Sequence, residues 1–254
     1  MNKLRLPGTI WLASDIHLGP ATPATWGKFQ WFLEQAGANA DALLLCGDIF
    51  DAWIGDDVAL DATPPWLAQV FSALKETASK IPVWIGRGNR DFLMGQALAK
   101  FLGAHLLGDI VRLETDQEAI IVSHGDEYCT DDTSYQRFKR LVRHPLTQGV
   151  FLSLGVATRR KIADYARRRS MSSHAAKAAY VMDVNAQAVQ QAFARHGVAT
   201  LIHGHTHRPA IHRTDGDTGL QRRVVLPDWD FDHPPHRGGW AIIDAQGVRL
   251  EYLS

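Results

Sequence analysis

The sequence predicts an α/β fold, and three observations carry that expectation. Short apolar runs of four to six residues recur along the chain, each run is followed at once by residue types that ligate metals, and one long segment late in the chain switches to helical spacing and basic character. Apolar runs of this length with β-branched enrichment read as strands buried on both faces. Ligand types at the carboxyl ends of parallel strands converge on one crevice, where open α/β sheets place their sites.

The elements come in order. Residues 9–14 lead into Asp15 and His17, residues 42–46 into Gly47 and Asp48, and residues 82–86 into Gly88, Asn89, Arg90 and Asp91. Residues 119–123 lead into His124, Gly125 and Asp126, and residues 199–202 into His203, Gly204, His205, Thr206 and His207. A lone Asp or His at a strand end is ordinarily a cap. Asp15, His17, Asp48, Asn89, His124, His203 and His205, spread over five such motifs, predict a dinuclear metal site.

Two divalent ions about 3.5–4 Å apart need a bridging carboxylate and separate ligands on each side. Asp48 is the expected bridge, because the glycine before it lets the backbone approach closely. Asp15, His17 and one distal histidine would complete one ion, and Asn89, His124 and the other distal histidine the second. Gly204 is read as the turn that brings both His203 and His205 to the metals. His207 is expected to orient a ligand or a phosphate instead. The oxygen and imidazole set suits two Mn²⁺, or similar ions, more than a structural zinc.

Between the fourth and fifth motifs, residues 130–196 read as a helical cap inserted into a core formed by residues 1–129 and 197–254. Thr130, Asp131 and Asp132 offer a helix start, and Pro145 stops the helix that they begin. Ala179, Met182, Ala186, Val189 and Phe193 recur at helical spacing before Gly197, a good C′ residue, which predicts a helix of about six turns with Met182 and Phe193 as plain core. From Arg137 to Arg169 the cap carries Arg137, Lys139, Arg140, Arg143, Arg159, Arg160, Lys161, Arg167, Arg168 and Arg169 against Asp164 alone. Such a cluster reads either as a solvated face or as a surface for an anionic membrane. Val150, Phe151, Leu152, Leu154 and Val156 could meet that membrane or line a groove for acyl chains.

Composition sets outer limits. The chain has 254 residues, 46% hydrophobic, enough for one substantial core. Lys plus Arg and Asp plus Glu both total 27, so the basic surplus of a nucleic-acid binder is missing. Cys46 and Cys129 make neither a disulfide framework nor a thiol metal site. No apolar run reaches signal or membrane-spanning length, so the expected location is cytoplasmic, peripheral to the cytoplasmic face of the inner membrane. No obligate protein partner is expected.

In this order, Asp-x-His, Gly-Asp, Gly-Asn-x-Asp, His-Gly-Asp and His-Gly-His resemble the calcineurin-like metallophosphoesterases over the whole chain. The resemblance implies a layered β-sheet sandwich flanked by helices. Longer strings, 46–57, 88–93, 124–132, 182–185 and 203–209, resemble one branch of that superfamily. The branch implies a lipid-linked nucleotide substrate: hydrolysis of UDP-2,3-diacylglucosamine at the uridine-side phosphorus, giving UMP and 2,3-diacylglucosamine 1-phosphate for lipid A biosynthesis. By the same resemblance Asn89, Arg90, Asp132, Tyr135, Ser170, His174, Lys177 and His203 would contact substrate, although the branch often has Asn where this chain has His174.

Arg90 departs from the superfamily pattern Gly-Asn-His, whose histidine donates a proton to the leaving group. A guanidinium cannot act as a general acid but can clamp phosphate oxygens. An alkoxide leaving group needs a proton, whereas a phosphate monoester, with a second pKa of about 6, does not. Arg90 therefore fits P–O–P cleavage, with Arg90 and His203 expected to steady charge on the equatorial oxygens. The rival expectations are a phosphoesterase acting on a soluble nucleotide or phosphodiester, and a non-catalytic scaffold, which would have lost ligands.

Overall fold

A computed structural model describes residues 2–61, 63–176, 183–216 and 219–253, with residue 2 and residues 167–176 by backbone alone. Strands β1 (Asn2–Arg5) and β2 (Ile10–Ala13) precede helix α1 (Pro23–Asn39), strand β3 (Ala42–Leu45), helices α2 (Asp56–Asp61) and α3 (Pro65–Lys80), and strand β4 (Val83–Ile85). Helix α4 (Gln96–Leu102) leads into β5 (His105–Leu106), β6 (Ile110–Glu114) and β7 (Ala119–Ser123). Helices α5 (Thr133–Val142), α6 (Pro145–Ser153), α7 (Val156–Ala176) and α8 (Ala186–His196) separate β7 from β8 (Thr200–His203). The chain closes with β9 (Ala210–Gly216), β10 (Gly219–Val225), β11 (Gly239–Asp244) and β12 (Gly247–Tyr252).

Two six-stranded mixed sheets result, ordered β12-β11-β2-β3-β4-β5 and β1-β6-β7-β8-β10-β9. The apolar runs are continuous because each strand buries both faces. Alternation along β2 and β3 sends Ile10, Leu12, Ala42 and Leu44 into the layer between the sheets, where they meet Val122, Ile202 and Val224. Trp11, Leu43 and Leu45 point the other way, onto Phe29 and Phe32 of α1 and Phe71 and Leu74 of α3. Ile121 and Leu201 pack on the outer side of the second sheet against Val189 and Phe193 of α8. Both sheets thus direct the ends of β2, β3, β4, β7 and β8 toward one edge.

The segment between β7 and β8 divides into two parts. Helix α8, expected from sequence at the end of the insertion, packs on the sheet as the crossover between parallel β7 and β8. It starts at Ala186 because Asn185 caps it, accepting from the backbone N–H of Gln187 and Ala188. The expected six-turn helix is therefore shorter, and Ala179 and Met182 lie outside the described residues. Helices α5 and α6 bury no side chain, and Pro145 both ends the preceding turn and opens α6. The amphipathic stretch after Pro145 breaks at Leu154 and Gly155 into two helices.

Arg159 corrects the reading of the basic cluster as a single exposed face. It is 3% exposed, donates to both carboxylate oxygens of Asp57 and to the Ile54 carbonyl, and ties α7 to the first turn of α2 and the loop before it. Arg160 and Lys161, its neighbours, are exposed. Among the described residues no helix is long and apolar enough to cross a membrane.

Candidate metal centre

Strain marks the site. Among the described residues the non-glycine positions with positive φ are Asp15 (56°), His17 (52°), Asp48 (51°), His205 (67°) and His207 (52°). Each costs roughly 1 kcal/mol or more, and such conformations persist where surrounding structure over-determines them, commonly at functional sites. The backbone around them is fixed across strands. Asp15 N–H donates to the Gly47 carbonyl, His17 N–H to the Asp48 carbonyl, and Gly204 N–H to the His124 carbonyl. Asp91 serves as a buried hub, its carboxylate accepting from the N–H groups of Asp48, Ile49, Phe50 and Gly88. Gly88 must be glycine, because a Cβ there would sit 2.0 Å from Asp48 Oδ1.

The side chains then converge. Asp15 Oδ2 accepts from Ser14 Oγ at 2.6 Å and from His205 N–H at 2.9 Å. Its Oδ1 is buried without a hydrogen bond and faces His207 Nε2 at 3.5 Å. His17 Nε2 lies 3.4 Å from His207 Nε2. Asp48 Oδ1 accepts from Arg90 N–H at 2.8 Å, which leaves Oδ2 between two imidazoles, 3.9 Å from His17 Nε2 and 3.8 Å from His124 Nε2. Asn89 Oδ1 lies 3.1 Å from His124 Nε2 and 2.9 Å from His205 Nδ1.

Ligands about 2.0–2.2 Å from a common ion sit ~3–4 Å apart, which is the spacing seen here. The ligand atoms of Asp15, His17 and His207 lie within 4.8 Å of one another, as do those of Asp15, Asp48 and His124. The orphaned Asp15 Oδ1, the strained backbone and the purely oxygen and nitrogen donor set all fit a divalent cation.

The structure places the histidines of the last motif differently from one another. His203 ends β8, is fully buried, and turns its ring away: Nδ1 pairs with the Gly204 carbonyl at 2.8 Å and Nε2 lies 3.3 Å from Arg223. It is His207, expected only to orient, that stands beside Asp15 and His17. Asp132 caps α5 by accepting from Tyr135 N–H, and Tyr135 donates to Asp126 Oδ2 while its ring stacks on that of His205, centroids 6.1 Å apart. The side chains of Ser170 and His174, and all of Lys177, lie outside the described residues.

Without a cation the cluster holds protons. Burial, then the Asp91 and Asp15 charges, push the Asp48 carboxyl up to about 7, with His124 opposing. Burial opposes charge on His207, but Asp15 and Asp228 outweigh it and raise the imidazole to about 10. Burial drives His17 and His205 down to about 3, leaving both neutral, the form in which an imidazole can ligate a metal. Protons on Asp48 and His207 compete with a cation, so raising the pH removes the competitor. Affinity for Mn²⁺ is expected to rise between pH 6 and 8 with measurable proton release, read by calorimetry in two buffers of different ionisation enthalpy. A pH-independent affinity would contradict this.

Two mixed sheets bring an Asp, Asn and His cluster, with positive φ at its Asp and His positions, to their common edge, an arrangement suited to a metal-dependent hydrolase. The chain belongs to the calcineurin-like phosphoesterase family, whose profile matches residues 8–209. It is 54% identical to the UDP-2,3-diacylglucosamine hydrolase of Bordetella parapertussis, over 98% of this chain and 96% of that one. It is 43% identical to the hydrolase of the same name from Serratia proteamaculans, over 95% of this chain and 97% of the relative. For the Pseudomonas paraeruginosa hydrolase of that name the identity is 41%, over 93% and 95%.

Proposed function

We propose that the chain hydrolyses the pyrophosphate bond of UDP-2,3-diacylglucosamine, releasing UMP and 2,3-diacylglucosamine 1-phosphate for lipid A biosynthesis. The observation that carries this reading is the near-full-length similarity to proteins named for that substrate. In this reading Asp15, His17 and His207 would hold one ion and Asn89, His124 and His205 the other, with Asp48 serving both. Two Mn²⁺, when bound there, would supply a lowered water pKa and neutralisation of phosphate-oxygen charge.

The chain's own groups do the rest. Water attacks the uridine-side phosphorus in line with the departing phosphate. Arg90, whose backbone is anchored on Asp48, clamps the equatorial oxygens as charge develops. Departing phosphate needs no proton, so no acid stands at position 90. Arg90→His is accordingly expected to slow hydrolysis of the natural substrate by on the order of 10²-fold. Steady-state assays with UDP-2,3-diacylglucosamine check it, and a faster Arg90→His enzyme would overturn this account of the arginine.

Helices α5 to α7 are proposed as the cap that receives the acyl chains from an anionic membrane face. Support comes from their exposed apolar side chains, among them Leu141 (62%), Leu146 (75%) and Val150 (65%), beside exposed Arg160 and Lys161. Tyr135, with Asp132 capping its helix, is proposed at the border between this surface and the metals. Neutralising Arg160 and Lys161 together is expected to weaken binding to anionic vesicles by roughly 30-fold at low salt, at about 1 kcal/mol per charge. Co-sedimentation measures this; an unchanged bound fraction would contradict it. Arg159 is left out because its charge is spent on Asp57.

A further inference from the structure

His207 is the candidate ligand in greatest need of support. Its side chain is 41% exposed, whereas Asp15, Asp48 and His124 are buried. It also holds a positive φ of 52° in a loop after β8. An exposed imidazole on a strained loop has several rotamers to choose from, and only those that direct Nε2 inward can ligate.

One carboxylate makes the choice. Asp228, 2% exposed, places Oδ2 3.2 Å from His207 Nδ1. With Nδ1 held there, Nε2 faces Asp15 Oδ1 at 3.5 Å and His17 Nε2 at 3.4 Å. Asp228 is itself fixed, since Arg237 Nε donates to the same Oδ2 at 2.7 Å. Arg237 is held in turn by paired backbone hydrogen bonds with Asp230. The next residue, Trp229, donates its N–H to the Asp15 carbonyl at 3.0 Å. The segment after β10 therefore braces two neighbouring candidate ligands from outside the metal motifs.

We propose that Asp228 is a positioning residue for the metal centre: it fixes the Nδ1–H tautomer and the ring orientation of His207 so that Nε2 is presented to a divalent cation. Carboxylates that accept from the far nitrogen of a ligating histidine orient the ring and raise its basicity, and losing one typically weakens metal affinity about 10–100-fold. Asp228 touches neither substrate nor reacting atoms. The inference rests on the reading of His207 as a ligand.

Mn²⁺ titration of the full chain, following the signal of free Mn²⁺ by electron paramagnetic resonance, tests it without an activity assay. Asp228→Ala is expected to bind Mn²⁺ about 10–100-fold more weakly. Asp228→Asn, nearly isosteric and the safer variant for folding, should weaken binding in the same direction by less, and Asp228→Glu should recover part of the loss. Turnover of Asp228→Ala should return at saturating Mn²⁺, which a merely structural defect would not allow. Unchanged Mn²⁺ affinity in both Asp228→Ala and Asp228→Asn, beside a His207→Ala variant that loses affinity, would overturn the role of Asp228 while keeping His207 as a ligand. Unchanged affinity in His207→Ala would overturn both.

Discussion

Asp48→Ala is expected to lower turnover by on the order of 10³-fold or more, and no Mn²⁺ concentration should restore it. The magnitude comes from the worth of single electrostatic groups at reacting centres, 10²–10³-fold for one donor, applied to a carboxylate that serves both ions. Asp48 Oδ2 stands between His17 and His124 at 3.9 Å and 3.8 Å, while Oδ1 is already committed to the backbone of Arg90. Removing the side chain therefore opens both halves of the cluster at once. Steady-state kinetics across a Mn²⁺ series, with metal content measured by mass spectrometry, checks the expectation. Recovery at high Mn²⁺ would mean that Asp48 belongs to one ion only.

The second large effect separates two histidines four residues apart. His207→Ala is expected to lower both Mn²⁺ affinity and activity at limiting metal by about 10²-fold or more, since even the partners of ligands are worth 10–100-fold. Excess Mn²⁺ should restore part of it, because Asp15, His17 and Asp48 remain. His203→Gln should leave the Mn²⁺ stoichiometry intact and instead cost about 1–3 kcal/mol of stability, the penalty for disturbing a buried hydrogen-bonding group. Urea denaturation and metal analysis on both variants decide between them. A His203→Gln protein that loses metal while His207→Ala retains it would restore the assignment drawn from sequence.

The proposed exchange of His203 for His207 shows where sequence reasoning stops. Apolar runs ending in ligand types predict the five strands and the edge where they meet, because burial of both faces writes itself into composition. Side-chain direction in His203-Gly204-His205-Thr206-His207 is set by something else. Strand pairing continues through His203, so alternation sends its ring toward Arg223, and positive φ at His205 and His207 turns those two inward. Gly204 is the visible turn signal, but positive φ at a histidine leaves no mark in a sequence. A glycine that admits a turn does not say which neighbour profits.

Long-range partners are hidden for the same reason. Arg159 looks like one more cation in a basic helix until Asp57, 102 residues earlier, is brought beside it. Asp91 reads as the end of a motif, yet its work is to gather four backbone N–H groups from two loops. Asp228 lies in a stretch with no pattern at all, and only folding sets it behind His207. The cap's division into α6 and α7 is within reach of the sequence, since Gly155 interrupts it, but apolar residues recur on both sides, at Val150, Phe151, Leu154, Val156 and Ile162, and mask the break.

Everything proposed for the site converges on attack at the uridine-side phosphorus of a diacylated nucleotide sugar. Turnover of UDP-2,3-diacylglucosamine in ¹⁸O-enriched water with Mn²⁺, with mass spectrometry of both products, is the decisive experiment. The prediction is one ¹⁸O in UMP and none in 2,3-diacylglucosamine 1-phosphate. Label in the acylated sugar phosphate would place the attack on the other phosphorus, and an absence of turnover alongside brisk hydrolysis of a water-soluble phosphodiester would contradict the claim outright.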